Sequence, residues 1–121
     1  MKRILIVDDQ KEVLNVLNKL IAHLGHEGII TDDWQHALEV IKTEPIDLVL
    51  LDIHMPGRDG FLVAKDIHSA KPSQKIAIMT GLDPETVFAK LQAEEVDFDE
   101  LIYKPFNFHQ IQQILHRLLS C

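Results

Sequence analysis

The chain has 121 residues, 46% hydrophobic and 26% charged, with a formal net charge of −7 at pH 7. That length suits one domain with its own core, and that balance suits a folded globule, not a disordered chain. The negative charge argues against direct binding to nucleic acid, and no apolar run approaches membrane-spanning length, so neither is an expected partner.

Met1-Lys2-Arg3 leads into a short apolar run, Ile4 to Val7, unlike the longer core of a signal peptide. The cytoplasm is therefore the expected location. The lone cysteine, Cys121, offers no internal disulfide. Ile4 to Val7 reads as an all-apolar strand that ends on an acid pair, Asp8-Asp9. A helix follows, with Val13, Val16, Leu17, Leu20, Ile21 and Leu24 as its stripe and Gly25 as a left-handed stop. Gly28 to Thr31 is a short strand. Asp32 or Asp33 caps the next helix, whose stripe is Trp34, Ala37, Leu38 and Ile41, and Pro45 closes it. Lying on that stripe, Trp34 reads as packing.

Leu48 to Leu51 has no polar alternation, which predicts a central strand buried on both faces. It stops at one carboxylate, Asp52, and Pro56, Gly57 and Gly60 then break regular structure. Phe61, Leu62, Ala64 and Ile67 mark a third helix, ended before Pro72. Lys75 to Met79 is a fourth strand, finishing at Thr80-Gly81. Asp83-Pro84 opens a fourth helix whose stripe, Val87 and Leu91, is thin; this helix is expected to be the least firmly held. Glu100 to Tyr103 is a fifth strand, ending at Lys104-Pro105. Asn107 and Gln110 resemble a capping box, and Phe108, Ile111, Ile114, Leu115, Leu118 and Leu119 form the strongest stripe. Strands alternating with helices in this way predict an α/β fold, a doubly wound parallel sheet with helices on both faces.

Sites in such sheets form at the carboxyl ends of strands. Asp8, Asp9, Asp52, Thr80 and Lys104 each follow an apolar strand and so meet at one edge. Three carboxylates together repel: two unit charges about 4 Å apart cost roughly 1 to 4 kcal/mol at effective dielectrics of 80 to 20. Lys104 supplies one compensating charge, and a hard divalent ion such as Mg2+ would supply two more. A carboxylate beside a metal can attack phosphorus, with Lys104 and the Thr80 hydroxyl placed to stabilise phosphoryl oxygens.

The acid pair Asp8-Asp9, the stretch Leu51-Asp52-Ile53-His54-Met55-Pro56-Gly57 with Asp59-Gly60, then Thr80, then Lys104-Pro105-Phe106 resemble, in this order, the receiver domain of two-component response regulators. The resemblance covers essentially residues 1–121. It implies a flavodoxin-like (βα)5 three-layer sandwich with strand order 2-1-3-4-5. It implies that Asp52 accepts phosphate from the phosphohistidine of a sensor histidine kinase or histidine phosphotransfer protein. Asp9 would bind Mg2+ directly, Asp8 through water, and Asp52 and the main-chain carbonyl of His54 would complete the protein ligands. As a switch residue Thr80 would move to bind the phosphoryl group, Lys104 would hold a phosphoryl oxygen, and the Lys104-Pro105 bond would be cis. The fourth helix, fifth strand and fifth helix would form the face that reports phosphorylation, often through a homodimer. Such a domain catalyses only its own phosphorylation and dephosphorylation and is not an enzyme in the usual sense.

Departures from the family pattern concern the readout. The switch position three residues before the lysine, usually Tyr or Phe, is Leu101; Tyr103 is the candidate for the exposed aromatic in its place. Thr80 is followed by Gly81 where alanine is common, and Asp97-Phe98 replaces a Gly-Ala pair. Leu82, two residues after Thr80, cannot orient a hydrolytic water, which implies a long-lived phosphoryl group unless His54 substitutes.

Other readings fit less well. A metal-dependent aspartyl phosphatase would carry a second acid two residues after its nucleophile, where His54 stands, and no cap domain is visible. A docking module that works without phosphate would not need the whole set of Asp8, Asp9, Asp52, Thr80 and Lys104. His23 and His26 have a spacing seen in metal ligands, but Gly25 lies between them and no nearby Cys or acid completes a set.

Overall fold

The computed structural model describes residues 1–119; Cys121 lies outside them. Five strands and five helices alternate: β1 (Arg3–Val7), α1 (Lys11–His23), β2 (Glu27–Thr31), α2 (Trp34–Thr43), β3 (Leu48–Asp52), α3 (Gly60–Ala70), β4 (Ile76–Thr80), α4 (Pro84–Glu94), β5 (Glu100–Tyr103) and α5 (Phe108–Leu119). All strand pairs are parallel and the order is β2-β1-β3-β4-β5, as the resemblance implies. The chain steps outward from β1 to β2 and then back across to β3. With right-handed crossovers, that reversal puts helices on opposite faces of the sheet.

The uninterrupted apolar strands are explained by two cores. Leu5, Val7, Val49, Leu51, Ile76 and Ile78 face α2, α3 and Val87 of α4. Their alternate neighbours Ile4, Ile6, Leu48, Leu50, Ala77 and Met79 face α1 and α5. Trp34 is half-buried against the first of these cores, with the Arg58 guanidinium 5.7 Å from its ring centre. Among the described residues no helix is long and apolar enough to cross a membrane.

Helix ends follow local chemistry. Asp33, not Asp32, caps α2 by accepting from Gln35 N at 2.9 Å. Asp83 caps α4 from Thr86 N at 2.8 Å, with Pro84 in the first turn. Asn107 and Gln110 form a reciprocal pair, each side chain accepting the other's N–H at 2.9 Å. Gly25 takes φ +87° after α1, with Gly25 N donating to Ala22 O and His26 N to Ile21 O. That is the double-bonded left-handed stop that glycine favours.

Two stripe assignments shift. In α1 the sheet-facing side chains are Leu14, Leu17 and Ile21, while Val16 is 42% exposed. The apolar arc of α1 is wider than its contact face, so packing selected which side is buried. In α5, Phe108 is exposed and burial begins at Ile111. Helix α4 is thinly packed as expected: Val87 is its one buried residue, and Phe88 is 62% exposed.

Glu95, which ends α4, adopts φ +50°, ψ 52°. A residue with a Cβ pays about 1 kcal/mol for that conformation. Glu95→Gly should stabilise the fold by about 0.5–1 kcal/mol in urea denaturation, whereas Glu95→Ala, which keeps the Cβ, should stay near the wild-type midpoint.

Candidate functional site

Each polar strand-end residue turns the chain out of the sheet in the same way. Asp8 Oδ1 accepts from Gln10 N at 2.9 Å, Asp52 Oδ1 from His54 N at 3.0 Å, and Thr80 Oγ1 from Leu82 N at 2.9 Å. These are the side-chain-to-backbone turns that Asp and Thr form locally. Each ends its strand and fixes its own side chain at the sheet edge. The register then gathers them: Val7 pairs with Leu51 and Thr80 with Tyr103, so Asp8 lies beside Asp52, and Lys104 follows opposite Thr80. The Lys104-Pro105 peptide is cis.

One oxygen from each of Asp8, Asp9 and Asp52 lies within 4.8 Å of the others. Asp8 and Thr80 are fully buried and Asp52 is 2% exposed, while Asp9 is exposed at the mouth. Lys104 Nζ reaches across to Asp8 Oδ2 at 2.8 Å and to Asp52 Oδ2 at 3.6 Å. Its third neighbour is Gln10 Oε1 at 3.2 Å. Burial pushes the Asp52 carboxyl up to about 6, helped by the neighbouring charge of Asp8 and opposed by His54 N–H and Lys104. Three carboxylates thus face one ammonium. Oxygen donors at this spacing, short of positive charge, suit a hard divalent cation such as Mg2+. Among the described residues, Asp8, Asp9 and Asp52 are the one such group of three; His23 and His26 belong to none.

A cleft of about 420 Å³ opens beside the acid cluster, with Asp9 and His54 at its rim and Met55, Phe61 and Leu82 on its walls. His54 is exposed where it lines this cleft. Across the cleft Lys90 of α4 pairs with Asp59 at 3.1 Å, and Asp59 also caps α3 through Phe61 N at 2.8 Å. Leu101 is half-buried against the core that includes Val87 of α4, and Tyr103 is exposed. The sequence reading missed Gln10 and Lys90. Gln10 carried one local signal, since it stands where a helix cap is expected yet is none of the usual capping residues. Lys90 carried none, because its partner is 31 residues away.

The family model of the response regulator receiver domain matches residues 4–116. The chain belongs to that family. Receiver domains are signalling domains of two-component systems. Among relatives, this receiver domain is 30% identical over 118 residues to the alkaline phosphatase synthesis transcriptional regulatory protein PhoP of Bacillus subtilis (strain 168). The match covers 98% of this chain and 48% of PhoP, so the chain spans about half that relative's length. It is similar to the response regulator TrrA of Thermotoga maritima, solved in complex with Mg2+-BeF, at 33% identity and TM-score 0.85, covering 98% of this chain and 100% of that one. A CheY-like receiver domain protein from Methanospirillum hungatei JF-1 matches at 30% identity and TM-score 0.84, covering 98% and 94%.

The raised Asp52 sets the sign of a pH effect. Between its ordinary value of 3.8 and about 6, the folded receiver binds a proton that the unfolded chain has released. Stability contributed at Asp52 is therefore lost as pH rises through that window. In magnesium-free buffer at pH 7, Asp52→Asn should be about 1–3 kcal/mol more stable than wild type by urea denaturation. The gap should close as pH falls towards 4; an equal gap at both pH values would refute this account.

Proposed function

We propose that this receiver domain is the phosphoacceptor of a two-component phosphorelay, with Asp52 as the accepting residue. The observation that carries the reading is the buried Asp52 carboxylate set against Asp8, with the Lys104 ammonium 3.6 Å away. A carboxylate held near 6 is ionised at neutral pH and a better nucleophile than an ordinary one. An Asp52 oxygen bonds to phosphorus as the phosphorus–nitrogen bond of the donor's phosphohistidine breaks, and the imidazole leaves. The donor is a sensor histidine kinase or a histidine phosphotransfer protein, acting from the cytoplasmic side. Lys104 is drawn to a phosphoryl oxygen. Thr80 Oγ1 already accepts from Leu82 N, so its hydroxyl proton is available to the phosphoryl group.

Mg2+, when bound, neutralises carboxylate and phosphoryl charge. Asp8, Asp9, Asp52 and the main-chain carbonyl of His54 would hold it. Asp9 is exposed on the cleft, whereas Asp8 is buried and engaged by Lys104 and Gln10 N. That supports direct ligation by Asp9 and a water-bridged role for Asp8. The net charge of −7 supports partners that are proteins, with no nucleic acid contact by this chain.

Acetyl phosphate with Mg2+ should add the mass of one phosphoryl group to the intact chain, and none to Asp52→Asn. Unless His54 aligns a water in its place, the adduct should outlast seconds, because Leu82 offers nothing to do so. No mass gain in the wild type would favour a docking module instead. Mg2+ titration should show a large affinity loss in Asp9→Asn and a smaller one in Asp8→Asn; equal losses would overturn the direct-versus-water assignment.

The output face is α4, β5 and α5, where Phe88 and Tyr103 are exposed, and a homodimer through it is part of the proposal. Leu101 has no ring to follow Thr80 inward, so the response passes mainly to α4. Beryllofluoride with Mg2+ should change amide exchange across residues 84–94 more than at Leu101. Changes centred on β5 with α4 unaltered would refute this route.

A further inference from the structure

We propose that Gln10 is a positioning residue, one that holds the Lys104 ammonium over the acceptor; this rests on the reading of Asp52 as the phosphorylated residue. Gln10 grips both ends of one ion pair. Its backbone N–H donates to Asp8 Oδ1 at 2.9 Å, and its side-chain carbonyl accepts from Lys104 Nζ at 3.2 Å. Lys104 Nζ has three protons, and its three neighbours are Asp8, Gln10 and Asp52. The only neutral one is Gln10, so it orients the ammonium without competing with a phosphoryl group for its charge.

A local sacrifice points the same way. Asp33, Asp59, Asp83 and Asn107 cap α2, α3, α4 and α5 with their side chains. Gln10 occupies the same position on α1 and makes no side-chain cap. Its amide is spent on Lys104, and a local rule broken at a site is the mark of a functional constraint. Any charge that draws Asp8 away from Lys104 leaves Gln10 as the partner that keeps the ammonium in place.

Gln10→Ser separates the two roles, since serine caps a helix well but is too short to reach Lys104. With acetyl phosphate and Mg2+, Gln10→Ser should slow phosphorylation roughly threefold to tenfold, the net worth of one ordinary hydrogen bond. In a Lys104→Ala background the same substitution should slow it no further. The same fractional slowing in both backgrounds would overturn the proposal. A second reading uses no phosphodonor. Gln10→Ser should raise the unfolding midpoint more in Lys104→Ala than in the wild type, where the new cap is offset by the lost contact. Equal rises would overturn the proposal, and a larger rise without Lys104 would uphold the contact even if Asp52 proved not to be the acceptor. Failure of wild-type phosphorylation alone would count against the Asp52 reading only.

Discussion

Two carboxylates buried side by side, Asp8 and Asp52, are the constraint on which the rest of the structure depends. Removing each from water costs several kcal/mol even after relaxation. The fold offsets that with one ammonium and with an N–H two residues on from each acid. The compensation is incomplete, and burial still holds Asp52 near 6. A hydrophobic core on each face of the sheet supplies the stability that makes such a cluster tolerable. A site so short of positive charge responds to any ion or charged group that enters it.

Firmness falls off across the sheet from this cluster. Strands β1, β3 and β4 are buried on both faces almost throughout, whereas β5 is an edge strand with an exposed Tyr103. Helix α4 rests on Val87, a strained Glu95 and a half-exposed Lys90–Asp59 pair. Pairs of that kind contribute about 0–1 kcal/mol. Only Gly81 to Asp83 separate Thr80 from this helix, and Leu82 N is bonded to the Thr80 hydroxyl. A change in what that hydroxyl binds therefore acts first on the element that costs least to move.

Much was legible because the signals were local. The apolar runs of Leu48 to Leu51 and Ile76 to Met79, the prolines and the capping acids each specify an element within a few residues. An acid or threonine at a strand end makes its own turn, so Asp8, Asp52 and Thr80 announced both the end of a strand and a side chain aimed at the sheet edge. Where neighbours compete equally, the sequence was silent. Leu14 and Val16 are equally apolar, and only the sheet beneath decides which is buried. Asp32 and Asp33 are chemically identical, and only the start of α2 makes Asp33 the cap.

By itself the sequence determined the alternating architecture and which five polar residues stand at strand ends along one sheet edge, because strand periodicity and turn chemistry act over a few residues and need no partner. Tertiary structure alone decided the charge balance. Lys104 meets Asp8 across 96 residues of chain, Lys90 meets Asp59 across 31, and Gln10 gives up its cap to reach Lys104 across 94. Burial and Coulomb forces depend on distance through space, and that distance exists only once the parallel sheet has brought its strand ends together.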